Sequence, residues 1–361
     1  MSYTTSILLE GVIKALVIVG VVQTLAAFEV WLERKVSAWI QNRVGPNRVG
    51  PIGLLQPFAD VVKLFMKEDV VPKAADKFFH RLAPVLSLAI ATMVYAVIPY
   101  SHYIAAGEHT ILGLTFTLPR DIYLGIAPNV NIGVLFILAM TSIGVYGITL
   151  AGWSSNNKYS LLGGLRSAAQ MISYELAMGV SLIGVVLISE SLSINEIVIT
   201  QQGGIWQWNL WLQPVGFIIF LVSAFAETNR APFDLPEAEP ELVGGFNTEY
   251  SGMKFGMFFL AEYANMATAS AFIVLMYFGG WALPFPAEWL GLQEGSIPLA
   301  LAQLLSFTAK VLVFLFFFVW VRWSVPRFRY DQLMHLGWKV LLPLAIVNLL
   351  VTAIVLAFIR L

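Results

Sequence analysis

Long apolar stretches separated by polar connections dominate the sequence. Each is roughly 20 residues long, which is what an α-helix needs to cross about 30 Å of hydrocarbon. Backbone polar groups in lipid must bond within their own segment, and the stretches lack the alternation of barrel strands, so each predicts a transmembrane helix. The sequence predicts an all-α polytopic membrane protein with about eight spans, at approximately 11–32, 82–100, 132–152, 168–189, 210–226, 255–280, 299–321 and 340–359.

The connections between these spans differ sharply in charge. Seventeen Lys and Arg residues fall in the connections 33–81, 153–167, 227–254 and 322–339, against two on the other side. Because Lys and Arg accumulate on the cytoplasmic side, these four connections are expected to face inward and both termini outward. No internal repeat is visible, which argues against the inverted halves of many secondary transporters.

The inner connection 33–81 combines an elbow with an amphipathic segment. Two Gly-Pro steps at 45–51 prevent regular helix. An amphipathic helix is predicted at 54–67, lying in the plane of the membrane interface. A basic anchor on anionic lipid is one interpretation, but the elbow and the Glu-Arg-Lys at 33–35 make a simple anchor less adequate. Its apolar positions are Leu54, Leu55, Phe58, Val61, Val62 and Phe65, opposite Gln56, Asp60, Lys63 and Lys67.

The inner connection 227–254 is acidic, with a net charge of −4. Pro232, Pro236 and Pro240 forbid a long helix. The segment is too apolar for a solvated loop, so we expect it to fold against the spans or a partner. Neighbouring carboxylates raise one another's pKa values and can share protons. The acids are Glu227, Asp234, Glu237, Glu239, Glu241 and Glu249.

Five charged residues fall inside predicted spans: Lys14, Glu29, Glu175, Glu262 and Lys310. Lys14 is expected to extend its side chain to the outer interface. A charge at the bilayer centre costs about 2.5–3.5 kcal/mol on insertion scales, so such residues usually face a bundle interior or a water-filled cavity. Proton exchange is one interpretation. The alternative is a structural role, such as a glutamate paired with Lys310.

Composition narrows the possible chemistry. Hydrophobic residues make up 58% of the 361 residues and charged residues 12%, which argues strongly against a soluble domain. The net charge of −1 gives no electrostatic footprint for nucleic acid. The absence of cysteine excludes Fe–S and thiolate metal ligation, and none of the four histidines has the paired spacing of bis-histidine haem ligands. No metal site and no redox centre are expected in this chain.

Several long motifs lie on the inner segments. They are Leu-Glu-Arg-Lys (32–35), Gln-Asn-Arg-Val-Gly-Pro-Asn-Arg-Val-Gly-Pro (41–51), Gly-Leu-Leu-Gln-Pro-Phe-Ala-Asp (53–60), Ile-Ser-Tyr-Glu (172–175), Ala-Glu-Thr-Asn-Arg-Ala-Pro-Phe-Asp-Leu-Pro-Glu-Ala-Glu (226–239) and Gly-Phe-Asn-Thr-Glu-Tyr-Ser (245–251). With these motifs the chain resembles the quinone-site membrane subunits, or H subunits, of respiratory complex I. Pro240 departs from the family pattern, which leaves the loop conformation in question.

The resemblance implies eight helices plus the interfacial helix. It also implies a tunnel that admits quinone, either ubiquinone or menaquinone, from the bilayer. Partner subunits of the peripheral arm would complete the tunnel, and other membrane-arm subunits would connect the chain to antiporter-like subunits. No flavin, haem or Fe–S cluster is implied for this chain. A bacterial inner membrane is the favoured location, ahead of a mitochondrial or thylakoid membrane.

Site residues follow from matching positions. Quinone-tunnel or arm-junction positions are Glu33, Arg34, Arg43 and Asp60, with Trp39, Phe58, Val62 and Phe65 as a possible apolar wall. Membrane acids that would couple the quinone cavity to proton translocation are Glu175, Glu227 and Glu262. The acidic loop would contribute Asp234, Glu237, Glu239, Glu241 and Glu249.

Other functions remain open at this stage. An equivalent subunit of a ferredoxin- or F420-dependent oxidoreductase, or of a membrane-bound hydrogenase, would share these features. A stand-alone proton-coupled transporter would require repeats that are not seen. A purely structural anchor leaves Glu175 and Glu262 unexplained.

Overall fold

The computed structural model describes residues 3–111, 114–237 and 239–360. Within this part, most residues are in α-helices, which confirms the all-α polytopic membrane class. The helices are α1 (Tyr3–Ile40), α2 (Gln56–Met66), α3 (Lys77–Met93), α4 (Gly133–Ser154), α5 (Lys158–Ser189), α6 (Ile194–Ile199), α7 (Asn209–Leu212), α8 (Pro214–Glu227), α9 (Glu239–Leu242), α10 (Gly252–Tyr277), α11 (Ile297–Ser324), α12 (Tyr330–His335) and α13 (Leu342–Arg360).

Seven helical segments of the described chain are long and apolar enough to cross a membrane. The last of them, Tyr330–Ile359, joins α12 and α13 through the π-helical turn Leu336–Leu341. The helix found where a span was predicted at 210–226 is shorter than predicted. Helix α8 has 14 residues, or about 21 Å, because Pro214 starts a new helix after the short α7. It is therefore shorter than the hydrocarbon layer.

Helices α5 and α10 form the centre of the bundle. Helix α5 packs against α4, α8 and α13, and α10 packs against α1, α3 and α11. The stretch Ile273–Tyr277 of α10 is completely buried. By contrast, α1 and α13 keep apolar side chains such as Leu16 and Phe358 exposed, which suits contact with lipid or partner helices.

The connection between α3 and α4 carries a β-hairpin that the sequence pattern does not predict. Strand β1 (Gly107–Ile111) pairs antiparallel with β2 (Leu114–Leu118). The connection is tied to α1 because Glu10 forms ion pairs with Lys14 and Arg120. Lys14 also donates to the Tyr123 carbonyl at 3.2 Å. These contacts hold the outer connection against the first helix.

The inner side is built from the elbow, α2 and the acidic loop. Gly53 has a φ of +76°, and a Cβ there would lie 2.4 Å from the Pro46 carbonyl oxygen, so the elbow requires glycine at this point. Helix α2 packs against α1 and α10. The acidic loop is folded, because Phe246 and Tyr250 pack with Phe258 of α10.

Candidate functional site

A group of buried charged side chains lies where α1, α10 and α11 meet the acidic loop. Glu33 accepts hydrogen bonds from the Tyr263 hydroxyl at 2.7 Å and from Arg230 at 3.3 Å, and it pairs closely with Arg322. Arg230 also lies 2.7 Å from a carboxylate oxygen of Glu262. Its guanidinium is 4.3 Å from the centroid of the Tyr263 ring. We call these five residues the charge centre.

The charge centre is assembled from distant parts of the sequence. Glu33 is near the inner end of α1, and Glu262 and Tyr263 are consecutive on α10. Arg230 follows the end of α8, and Arg322 is in the last turn of α11. Glu33 and Arg230 are only 7% and 4% exposed. Buried ions are costly unless they are paired, so this arrangement depends on every partner being present.

A cavity with room for about 70 Å³ of water-sized molecules adjoins the charge centre. Its lining includes the carboxylates of Glu227, Glu237 and Glu262. Uncharged polar side chains from several elements complete the polar part of the lining: Ser87, Thr141, Thr228, Asn229, Asn265 and Thr268. Glu262 thus belongs to both the charge centre and the cavity. The arrangement can pass protonation changes between them through carboxylates and hydroxyls.

Glu175 extends this acidic lining on α5. It accepts a hydrogen bond from the Ser142 hydroxyl of α4, and its charge acts on Glu227. The structure therefore brings together the membrane acids Glu175, Glu227 and Glu262 along one interior region. Among the described residues, no cluster of His, Asp or Glu side chains could hold a metal ion.

The acids of the inner loop are dispersed rather than gathered at one point. Glu241 pairs with Arg166 of α5 at 2.5 Å, and Glu249 accepts from the Asn157 amide at 2.6 Å. The side chain of Glu239 lies outside the described residues. Glu241 and Glu249 are therefore held apart by a cation of α5 and by an amide at its N-terminus.

Asp234 and Glu237 do approach the charge centre. Asp234 pairs with Arg327 at 2.7 Å. Burial raises the pKa of Glu237 to about 8, and repulsion from Glu262 and Asp234 adds to the effect. Burial also raises the pKa of Asp234, although Arg327 opposes the shift. Glu237 is thus set to exchange a proton near neutral pH.

A second ion pair links α1 to the interfacial helix. Arg34 lies 2.6 Å from Asp60, and Lys63 lies 3.2 Å from the same carboxylate. Partial burial opposes ionisation, but Arg34 and Lys63 hold the pKa of Asp60 below its usual value. Arg34 and Asp60 therefore fix α2 at a defined angle beside the first helix.

The remaining predicted tunnel residues lie on the surface of the chain. Trp39, Phe58, Val62 and Phe65 are each more than half exposed, and Arg43 is exposed in the elbow. Phe58 contacts Phe28 of α1 edge to face, with 5.9 Å between ring centroids. In the part of the chain that the structure describes, these side chains face outward rather than into a closed cavity. They form a wall only if another surface covers them.

Sequence reasoning does not identify Arg230, Tyr263 and Arg322 as site residues. The sequence does give one indication of such partners: several acids lie inside predicted spans, and buried carboxylates need cations beside them. Lys310, a possible partner for a glutamate on sequence grounds, has a different role. Its ammonium group donates to the carbonyls at the end of α10, which are those of Phe278, Gly280 and Ala282, at 2.6–3.0 Å. It stabilises that helix end.

Comparison with known proteins identifies the family. The NADH dehydrogenase family matches residues 13–353. A Salinibacter ruber protein, named as the H subunit of an NADH-quinone oxidoreductase, is 52% identical, covering 94% of both chains. A Rhodothermus marinus protein, named as subunit 8 of an NADH-quinone oxidoreductase, is also 52% identical, covering 94% of this chain and 95% of its own. A Koribacter versatilis protein, again named as an H subunit of this enzyme, is 50% identical, covering 97% and 98%.

The match spans the helices and the inner segments that form the charge centre, the cavity lining and the interfacial helix. With half of the residues identical over nearly the whole chain, the chain belongs to the NADH dehydrogenase family.

Proposed function

We propose that the chain is the membrane subunit of a proton-pumping NADH:quinone oxidoreductase that forms much of the quinone path and couples quinone reduction to proton translocation. The relatives are named as H subunits of NADH-quinone oxidoreductases, which supports the reaction class. The observation that carries the coupling role is the charge centre adjoining a cavity lined by Glu227, Glu237 and Glu262. A structural anchor needs neither feature.

Quinone reduction can be coupled to proton translocation because the reaction itself consumes electrons and protons. Reduction of a quinone to a quinol takes up two electrons and two protons. The electrons arrive through other subunits, since this chain has no cysteine for Fe–S clusters. A change of charge beside the inner surface alters the protonation of Glu237 and the pairing of Arg230. The cavity then offers Glu262 and Glu227 as the next acceptors.

The quinone path uses the exposed apolar residues of the inner side. An isoprenoid quinone, ubiquinone or menaquinone, needs an apolar wall with few polar contacts. Trp39, Phe58 and Phe65 provide such a surface beside the Arg34–Asp60 pair. Peripheral-arm subunits cover the surface and complete the headgroup end. Other membrane-arm subunits continue the proton path.

The favoured location is a bacterial inner membrane, with both termini outside. The excess of Lys and Arg in the four inner connections supports this orientation. A reporter fused after Leu361 should behave as a periplasmic protein. A cytoplasmic signal would mean an odd number of membrane spans and would contradict the placement of both termini outside.

The assembled complex provides the test of the function. Purified with its partners and reconstituted in liposomes, it should oxidise NADH, reduce quinone and acidify one compartment. Turnover with reduced ferredoxin or F420 but not NADH would favour the alternative oxidoreductases. Proton-coupled solute uptake by this chain alone would contradict the proposal in favour of a stand-alone transporter.

A further inference from the structure

Glu29 is a deeply buried acid that the proposed coupling path does not use. It lies on α1 one turn from Glu33, on the same helix face, and is 6% exposed. Its Oε2 atom has no hydrogen-bond partner within the described part of the chain. No cation of the described residues forms an ion pair with it. A buried carboxylate without a direct partner requires an explanation.

The groups around Glu29 define its charge state. Arg230 and Glu33 act on it from the charge centre, and Tyr95 at the end of α3 is close enough to feel its charge. Arg230 is already engaged with Glu33 and Glu262, and Arg322 is engaged with Glu33. The acids at this point therefore outnumber the guanidinium groups, among the residues described.

Charge balance then assigns a proton to Glu29. Glu33 has two guanidinium partners and the Tyr263 hydroxyl, which favour its ionised form, and Glu262 lies 2.7 Å from the shared Arg230 guanidinium. A further anion in the same dry region is opposed both by desolvation and by repulsion from Glu33. Glu29 is the acid left without a partner.

The surroundings of Glu29 reach the cavity through Tyr95, which feels the charge of Glu29 and follows Val94 of the cavity lining. The Tyr95 hydroxyl donates to the Ala264 carbonyl at 2.7 Å. Val94, which directly precedes Tyr95, and Thr268, one turn after Ala264 on α10, line the cavity. The Thr268 hydroxyl is buried without a hydrogen-bond partner in the described structure. Tyr95 therefore adjoins both the surroundings of Glu29 and the lining of the cavity that holds Glu262.

We propose that Glu29 is a proton-storing residue of the charge centre, protonated while Arg230 is shared by Glu33 and Glu262, and deprotonated when either of those acids takes up a proton. The step is balanced, because one proton arrives at Glu33 or Glu262 from the coupling path and the proton that leaves Glu29 passes to a carboxylate of the cavity lining, Glu227. The freed part of the Arg230 guanidinium then stabilises the new carboxylate. This role rests on the proposed coupling function and adds a residue to it.

The test combines infrared spectroscopy with proton pumping in the assembled, reconstituted complex. Glu29→Gln keeps the size of the side chain but cannot exchange a proton. We expect it to lose one carbonyl-stretch band of a protonated carboxylic acid, and to lose one step from the pH profile of pumping. Gln23→Leu is the matched control, because Gln23 is also on α1 and also has a buried oxygen without a partner. It should retain both signals.

An unchanged infrared band and pH profile in Glu29→Gln would overturn the proposal. If that variant does not assemble, Glu29→Asp replaces it, since it keeps the acid in a different position. The band should then shift, and an unshifted band would overturn the proposal equally. Failure of the unaltered complex to pump would instead contradict the proposed function, so the two failures are distinguishable.

Discussion

Replacing Arg230 with methionine would remove the cation that joins Glu33 and Glu262. Methionine keeps an unbranched apolar stem of similar reach, so the change is mainly one of charge and hydrogen bonding. The guanidinium lies 3.3 Å from Glu33 and 2.7 Å from Glu262, and the residue is 4% exposed. Glu33 keeps Arg322, whereas Glu262 has no other ion pair within the described chain.

The expected magnitude is that of breaking a buried ion pair. Removing one partner leaves an uncompensated charge and costs about 3–5 kcal/mol of stability. Arg329→Met is the matched control, because its pair with Asp331 is exposed, at 73% and 69%, and surface pairs contribute about 0–1 kcal/mol. A second change, Glu262→Gln, removes the orphaned charge. The double variant should therefore be more stable than Arg230→Met alone.

The free energy of unfolding can be followed by SDS titration of the purified subunit in detergent. We expect Arg230→Met to lose several times more free energy of unfolding than Arg329→Met. The double variant should regain part of the stability that Arg230→Met loses. Equal losses for the two arginine variants would refute the assignment of a buried charge centre. The assignment would also be refuted if the loss of stability in the double variant equalled the sum of the losses in the two single variants.

Three further perturbations probe the inner side. Burial raises the pKa of Glu237 to about 8 from 4.5, so the folded state holds a proton that the unfolded state has lost, and stability should fall as pH rises through that interval. Glu237→Gln should abolish this slope in unfolding measurements, whereas Glu241→Gln should retain it. Gly163→Ala should destabilise the chain by about 1–3 kcal/mol, because a Cβ at this position would lie 2.7 Å from the backbone of the acidic loop. Gly179→Ala on the same helix is the control and should leave the stability unchanged, because a Cβ there meets nothing within 4 Å. Arg34→Ala should reduce quinone-linked turnover while reduction of an artificial acceptor persists, and an equal loss of both would indicate failed assembly.

The long helices can be predicted because lipid imposes a simple rule on sequence. A span must be apolar and helical, so hydropathy alone is enough to predict α4, α5, α10 and α11. The break before α8 follows from Pro214, but only the structure shows that the helix stops at 14 residues. The outer hairpin escapes prediction because its short strands carry little pattern.

The acids of the site can be predicted, but their partners cannot. A glutamate in a span is conspicuous, and Glu262 stands out on that ground. Arg230 lies in a loop 197 residues from Glu33 in sequence, and nothing local indicates that they meet. Tertiary packing of α1, α10 and α11 decides that contact. The same packing sends Glu241 to Arg166, so the charge pattern of the loop does not reveal its grouping.

The most direct test of the central claim is to measure proton translocation and electron flow together in liposomes containing the assembled complex with Glu227→Gln. Glu288→Gln, at an exposed position of the outer connection, is the control. We predict that quinone reduction and proton pumping fall together in Glu227→Gln, while its oxidation of NADH with an artificial acceptor is unchanged. The control variant should retain all three activities. Full quinone reduction with full pumping in Glu227→Gln would contradict this prediction.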